Sequence, residues 1–400
     1  MKKVIFGILT GILCVLVMGR ALLPQSARAA GEVLRSGADY NILDIDLPVV
    51  RQTAGSALLA EMNAYYIFRM PTAKNEYTGI LAGKDLVVIC GDNWAPGDVT
   101  DRSASPALNR LWTEGAHISD VYRPDWYQGS EGREFALLSG LMPTSVRDTS
   151  SFLWCGRQDI YLPFALPRGL ADAGYTCTAL CRNGAYTAAY EALGFSCVRA
   201  EPEDNVSALE RELSAGDGEG PLFVYCVWDD TDGEEALSEL LGWLDRNGRT
   251  EDTVICLYTT NTQEFRGHLF LWGEGLAEAE STLPCSDLDV TPTLLNLFGI
   301  DYDSRFLSGR DIFAGNGTGA KPNAATPLVS LGGSAYADWV TDAGSYIASE
   351  DMFFPAGAAL TGQREEALGS YAEAVSALVY DRYVYARRIL ENNYFRLVFP

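Results

Sequence analysis

The sequence predicts an α/β fold: a doubly wound sheet with helices on both faces, followed by a small C-terminal α+β extension. Three observations predict it. Strand-length apolar runs alternate with helix-like stretches over roughly residues 80–315, the order expected of a mostly parallel sheet. Several runs are continuously apolar rather than alternating, as in "DLVVIC" (85–90), "PLFVYCVW" (221–228) and "TVICLY" (253–258). That pattern suits strands covered on both faces. The chain can also fill such a core, because 48% of its 400 residues are hydrophobic and only 21% are charged, unlike a disordered composition.

The elements follow in order. "AGSALLAEMNAYYIFRM" predicts a helix in a mixed lead-in, and "DLVVIC" a buried strand. "SPALNRLWTEG" (105–115) reads as a helix, "AHISDVY" (116–122) as a short strand, and "GREFALLSGLM" (132–142) as a helix entered from a polar loop. "LPFALPRGLADAG" (162–174) is a helix ended by Gly174, "YTCTALC" (175–181) a strand, and "AYTAAYEALGF" (185–195) a helix closed by Gly194, as a left-handed cap requires. "NVSALERELSAG" and "GEEALSELLGWLDRNG" (233–248) are helices flanking the strand at 221–228. "TVICLY" and "HLFLWG" (268–273) are strands, and "DVTPTLLNLFGI" (289–300) is a helix with Pro292 in its first turn, where proline is tolerated. "AGNGTGAKPNAATP" (314–327) reads as a linker. After it, "SYIASEDMFF" predicts a strand pair and "EEALGSYAEAVSALVYDRYVYARRILENN" a long helix.

Charge and cysteine usage narrow the class. The net charge is −23, and the four basic residues among the first 29 leave 26 bases against 53 acids in the remainder. A body so acidic is repelled by nucleic acid and by anionic membrane surfaces. Cys90, Cys226 and Cys256 sit inside apolar runs, where a thiol behaves as a small hydrophobe. Cys177 and Cys181 lack the second pair of a zinc pattern. Buried free thiols are the expectation, with one or two disulfides the alternative. The N-terminus carries Lys2 and Lys3, 16 uncharged residues from Val4 to Gly19, and Ala27-Arg28-Ala29 as a small-x-small cleavage site. This is the pattern of a signal peptide or a short anchor, so the body is expected to be exported and to touch membrane only through that segment.

In a doubly wound sheet, ligands sit beyond the carboxyl ends of the strands. Those ends are "CGDN" (90–93), "WDD" (228–230) and "YTTN" (258–261).

The order of these motifs resembles the sulfatase and alkaline-phosphatase superfamily. "KDLVVICGDNW" is similar to its opening strand, and "SPALNRLWTEGAHISDVY" to the segment that follows. "YQGSEGREFALLSGLMP" resembles the nucleophile loop of lipoteichoic acid synthases, with Ser130 five residues before Phe135. "CSDLDVTPTLLNLFGIDYDSRFLSGRDIF" is the most specific match, close to the Asp-x-x-Pro-Thr…Gly-Arg-Asp pattern of that branch. No Cys-x-Pro-x-Arg sulfatase motif occurs. The resemblance implies four segments: residues 1–30 as signal peptide or anchor, 31–80 as lead-in, 81–315 as the sulfatase-like α/β domain and 316–400 as the C-terminal extension.

The resemblance also implies a chemistry. A hydroxyl nucleophile attacks a phosphoryl group beside Mn or Mg, which lowers the nucleophile's pKa and neutralises the phosphate oxygens. A covalent intermediate follows. In the synthase branch, phosphatidylglycerol is the donor and a glycerophosphate chain the acceptor. The expected ligands are an acid after the first strand, the nucleophile, and an Asp-His pair after a later strand. Asp92 falls at the first position and Ser130 at the nucleophile, though a solvated strand-end acid and a loop serine would look the same. Thr260 and Asn261 fall where the Asp-His pair belongs, and neither is a charged or strongly basic ligand.

The chain's two histidines, His117 and His268, lie elsewhere and read as packed or surface residues, while Cys181-Arg182 and Trp228-Asp229-Asp230 stand where further histidines are expected. Gly309-Arg310-Asp311 survives, and is expected to tie the last helix and loop to the sheet. The first functional expectation is therefore an exported, non-catalytic homologue. It holds no metal and binds an envelope glycan, a lipid head group or a protein partner. The alternative is an active Mn- or Mg-dependent transferase or ester hydrolase, with Ser130 as nucleophile and a site rebuilt from Asp92, Asp229, Asp230 or Glu264.

Overall fold

The computed structural model describes residues 40–45, 47, 57–92, 103–126, 129–181, 183–200, 205–215, 220–228, 233–261, 266–277, 279, 281, 283–314, 326–327, 338–356 and 365–399. The N-terminal apolar segment and its cleavage-site pattern lie outside these residues. Helix α1 (Ala57–Phe68) precedes β1 (Asp85–Asp92), α2 (Pro106–Glu114), β2 (Ala116–Tyr122) and α3 (Ser130–Ser139). A two-strand hairpin, β3 (Ser145–Val146) and β4 (Thr149–Ser150), leads into α4 (Ser151–Gln158) and α5 (Leu166–Asp172). Then come β5 (Thr176–Cys181), α6 (Thr187–Leu193), β6 (Cys197–Ala200), α7 (Asn205–Ala215), β7 (Leu222–Trp228), α8 (Gly233–Arg246), β8 (Thr253–Asn261) and β9 (Arg266–Trp272). After α9 (Val290–Leu297), the C-terminal part holds β10 (Thr326–Pro327), β11 (Trp339–Thr341), β12 (Gly344–Ile347), β13 (Met352–Pro355), α10 (Glu365–Asn392) and α11 (Tyr394–Val398).

The central sheet has seven strands in the order β2-β9-β8-β1-β7-β5-β6. β8, β1, β7, β5 and β6 run parallel, while β9 is antiparallel to both β8 and β2. The sheet is therefore mixed, with its antiparallel part confined to one edge.

Two buried clusters explain the continuously apolar strands. On β1, Leu86, Val88 and Cys90 enter one cluster while Val87 and Ile89 enter the other. On β8, Val254, Cys256 and Tyr258 take the first face, and Ile255 and Leu257 the second. The period-two alternation of a strand thus meets apolar partners on both sides. The first face carries α3, α4, α5, α6 and α9; the second carries α2, α7 and α8. Burial on this scale, at about 25 cal/mol per Å² of apolar surface, is the main driving term for the fold.

The small C-terminal sheet, β10-β11-β12-β13, packs on α10 through aromatic rings. The fully buried Trp339 lies against Tyr346, Phe353 and Tyr371. The predicted strand pair and long helix are both present, with β10 and β11 added. Farther along, Phe395 and Tyr394 join α1's Tyr66 and Phe306 in the main cluster.

Two sequence-based boundaries shift. The helix expected over 162–174 narrows to α5, because Pro167 starts it and the preceding residues form a turn. The strand expected to end at Tyr258 runs on to Asn261. There Gly91 and Asp92 of β1 pair with Thr259 and Thr260, and β9 pairs with Thr259–Asn261 from the other side. Pairing on both sides extends the strand through residues whose own preference would have ended it. The eight described cysteines are all free thiols, seven of them buried. Burial pushes the Cys177 thiol up to about 12, so it stays protonated and inert.

Candidate functional site

The carboxyl ends of β1 and β8 meet the first turn of α3. Asp92 lies directly opposite Thr260 in the parallel register, so the sequence-predicted acid and the expected Asp position are neighbours across one strand spacing. Thr260 is fully buried. It shares a sheet face with Tyr258 and Cys256, the face on which α3 packs. Ser130 is the first residue of α3 and is exposed. It follows Gly129, whose φ of 56° is a backbone conformation that L side chains rarely adopt. The glycine thus lets the chain turn into the helix at this point. The side chains of Asp92 and Asn261 lie outside what is described, as do Asp229, Asp230 and Glu264. At the ends of β5 and β7, Cys181 and Trp228 are buried.

Sequence reasoning missed the residue that reaches Thr260. Arg133, one turn into α3, is only 5% exposed, and its Nη1 donates to Thr260 Oγ1 at 3.2 Å. A signal for it existed: a basic residue in the first turn opposes the helix dipole, and one that is also buried needs a compensating partner.

The residues around Arg133 are equally tied down. Glu131 accepts from Ser150 Oγ at 2.5 Å and from the Tyr186 hydroxyl at 3.0 Å. Glu134 accepts from the Tyr190 hydroxyl and, at 3.4 Å, from Tyr225. Asp287, in the turn before α9, accepts from Trp126 Nε1 at 2.6 Å. Burial lifts the Asp287 carboxyl to about 7, against the opposing pull of the Trp126 hydrogen bond and the Arg133 charge. Burial likewise raises the Tyr225 and Tyr258 hydroxyls well above their usual range, and Arg133 opposes both shifts.

At Thr260 the described side chains fit a divalent ion poorly. Thr260 offers a neutral hydroxyl, and that hydroxyl already receives a guanidinium hydrogen bond. Among the described residues, no three His, Cys, Asp or Glu side chains are grouped so as to hold a metal ion.

The two histidines meet elsewhere. His117 on β2 and His268 on β9 share a hydrogen between Nε2 and Nδ1 at 3.0 Å, beside Trp112 and Phe270. Burial and the neighbouring ring push His117 down to about 4, and burial lowers His268. The pair is packed, as the sequence suggests, but the contact across 151 residues was not foreseen.

Gly309-Arg310-Asp311 has an architectural geometry. Asp311 is fully buried and accepts from Asn75 Nδ2 at 2.6 Å, Asn296 Nδ2 at 3.0 Å and the Phe313 amide at 3.0 Å. The Arg310 amide donates to Asp289 at 2.8 Å, and its guanidinium to the Pro284 carbonyl at 3.2 Å. A Cβ on Gly309 would lie 1.9 Å from the Leu288 carbonyl oxygen, so only glycine fits. These contacts bind the motif to α9, the turn before it and the segment leading into β1, rather than to the sheet itself as the sequence reading expected.

The backbone matches solved structures over most of its length. The lipoteichoic acid synthase LtaP of Listeria monocytogenes aligns with a TM-score of 0.63 at 14% identity, covering 83% of this chain and 98% of that one. The fold is that of the sulfatase and alkaline-phosphatase superfamily, in its lipoteichoic acid synthase-like form. An alkaline-phosphatase-superfamily protein from Vibrio parahaemolyticus aligns at 0.57 with 15% identity, over 87% and 96% of the two chains. A Bacteroides fragilis protein classed as a sulfatase aligns at 0.50 with 12% identity, over 81% and 98%. No protein-family model matches the sequence, and no curated relative does. Among the described residues, no helix is long and apolar enough to cross a membrane.

Proposed function

We propose that this chain is an exported, non-catalytic protein of the lipoteichoic acid synthase-like fold, with a binding or regulatory role at the cell envelope. Its ligand would be an envelope glycan, a lipid head group or a protein partner. The observation that carries this reading is the Arg133–Thr260 contact at the end of β8. A divalent ion about 4 Å from a fixed guanidinium meets a repulsion of about 8 kcal/mol at an effective dielectric of 20. That repulsion arises where the Asp-His pair that would offset it is replaced by Thr260 and Asn261.

Metal analysis of the purified protein tests the proposal. The expected result is no Mn or Mg retained at micromolar free concentration. Stoichiometric metal that is lost in Asp92→Ala would overturn it, as would a glycerophosphate adduct on Ser130 in the mass spectrum. The exposure of Ser130 at the start of α3 favours one alternative: a phosphoglycerol transferase or ester hydrolase using that hydroxyl. The Ser130 adduct would establish that alternative, and the metal result would establish the site it needs.

A further inference from the structure

We propose that the amino end of the central sheet carries a second ligand site, a small open cavity that takes an uncharged sugar ring. It lies at the opposite end of β8 from Thr260, and it holds whether or not that strand end is catalytic.

Place comes first. β1, β7 and β8 start at Asp85, Leu222 and Thr253. Beside the start of β8, the last turns of α7 and α8 border a cavity of about 360 Å³, lined by Ser214, Trp243, Asn247, Arg249 and Asp252. Ser214, Asn247 and Asp252 are exposed, so the cavity opens to solvent, while Trp243 packs against the second core cluster. The volume lies at the low end of the range for small-ligand sites, which suits one six-membered ring rather than an extended chain.

The walls are fixed before any ligand arrives. Arg249 Nη2 donates to Asp85 Oδ2 at 2.7 Å, and Asp85 Oδ1 accepts from the Leu222 amide at 2.8 Å. The Arg249 amide donates to the Leu244 carbonyl at 3.0 Å, and the Asp252 amide to the Arg249 carbonyl at 3.2 Å. Asn247 Nδ2 donates to the Trp243 carbonyl at 2.8 Å. Such preorganisation lowers the cost of binding.

Charge decides the class of ligand. Arg249 is ion-paired with Asp85, and Asp252 brings a negative charge to the lining. The carboxyl ends of α7 and α8 add the negative pole of two helices. A phosphate or sulfate is therefore repelled. Hydroxyl groups are suited instead, because each both donates and accepts. The Ser214 hydroxyl donates to the Glu210 carbonyl at 2.7 Å, which leaves its oxygen as an acceptor. Asp252 and the Asn247 carbonyl oxygen are acceptors too, and Arg249 is a donor. The indole of Trp243 gives a flat apolar wall for the C–H face of the ring.

Saturation-transfer NMR with glucose and with N-acetylglucosamine tests this on the purified protein. The expected result is transfer to the ring protons of at least one sugar, with a Kd of about 1–10 mM for a single open subsite. Ser214→Tyr fills the cavity from an exposed helix position, and Trp243→Ala removes the flat wall. Each should weaken binding about tenfold or more. Ser214→Tyr should melt with the parent, so its result stands even where Trp243→Ala fails to fold. Inorganic phosphate in excess should not compete.

No transfer to either sugar overturns the inference. Competition by phosphate also overturns it, because the cavity would then be an anion site. Sugar binding that survives Ser214→Tyr overturns it by placing the ligand elsewhere. None of these results bears on the metal-free strand end, whose own test is metal content.

Discussion

The β1–β8 strand end and the Asp289–Asp311 network are both buried and both polar, yet they are satisfied by different means. At the network, Asp311 is met by two side-chain amides and a backbone N–H, and Asp289 by the amides of Ser286 and Arg310. Backbone amides supply three of these five hydrogen bonds, and the Arg310 charge favours both carboxylates. At the strand end, Asp287 accepts from Trp126 Nε1, Glu134 from Tyr190 and Tyr225, and the buried Arg133 donates to the Thr260 hydroxyl. A network closed by backbone donors is bound up with the fold and cannot change without it. A strand end held by separate side-chain contacts can exchange one of them and keep the rest. The difference explains how a chain can keep the Gly-Arg-Asp motif of its fold while replacing the residues expected to hold metal.

The largest effect should come from breaking the first network. Asp311→Ala leaves three buried donors without their acceptor, and the expected loss is about 3–5 kcal/mol in urea denaturation. Asp311→Asn keeps the shape and one acceptor oxygen, and should lose less than half as much. If alanine costs no more than a surface substitution, the network is not the fixed part of the scaffold and the contrast with the strand end fails. Arg133→Gln comes next in size: it withdraws the guanidinium from the Thr260 hydroxyl, and a loss of about 1–3 kcal/mol is expected in the same denaturation. A loss no larger than that of a surface substitution would show the Thr260 contact to be dispensable.

Much of this architecture was legible in the sequence, and the exceptions share a cause. Strands β1, β7 and β8 announced themselves as apolar runs because both of their faces are covered. The ends of β1 and β8 were readable as candidate site segments, but the register that sets Asp92 against Thr260 came only with the structure. Arg133 was hidden because its place in the first turn signals a need for a partner but not which one, here 127 residues away. The histidine pair was hidden in the same way, since β2 and β9 meet only through the antiparallel edge. The extension of β8 to Asn261 was missed because local preference was trusted over pairing on two sides. Local pattern reports burial, and it does not report which long-range partner a buried polar group will find.

A smaller effect separates the two kinds of group by pH. Asp287 and Asp311 are each raised by burial to about 7. The folded state therefore holds protons that the unfolded state releases, and stability falls as pH rises between about 4 and 7. His117 has the opposite sign. It stays neutral down to about 4, so the unfolded state takes up the proton first, and stability is lost as pH falls below the usual histidine value toward 4. The two trends oppose each other in one window, and a shallow profile is expected for the parent. His117→Gln removes the second trend. Its denaturation midpoint, measured against that of the parent, should therefore improve steadily as pH is lowered through that window. A constant offset between the two would show that His117 titrates normally.

The smallest effect is expected at Ser130, and its smallness is informative. Ser130 is exposed, and the helix it begins is held by Glu131, Arg133 and Glu134 through their contacts with Ser150, Tyr186, Thr260, Tyr190 and Tyr225. Removing its hydroxyl takes nothing from those contacts, and Ser130→Ala should stay within about 0.5 kcal/mol of the parent. In a non-catalytic protein the same change should also leave the cellular role intact, as read by complementation of a deletion strain. Failed complementation by a stably folded Ser130→Ala protein would place this hydroxyl at the centre of the function. It would make the strand end a working site.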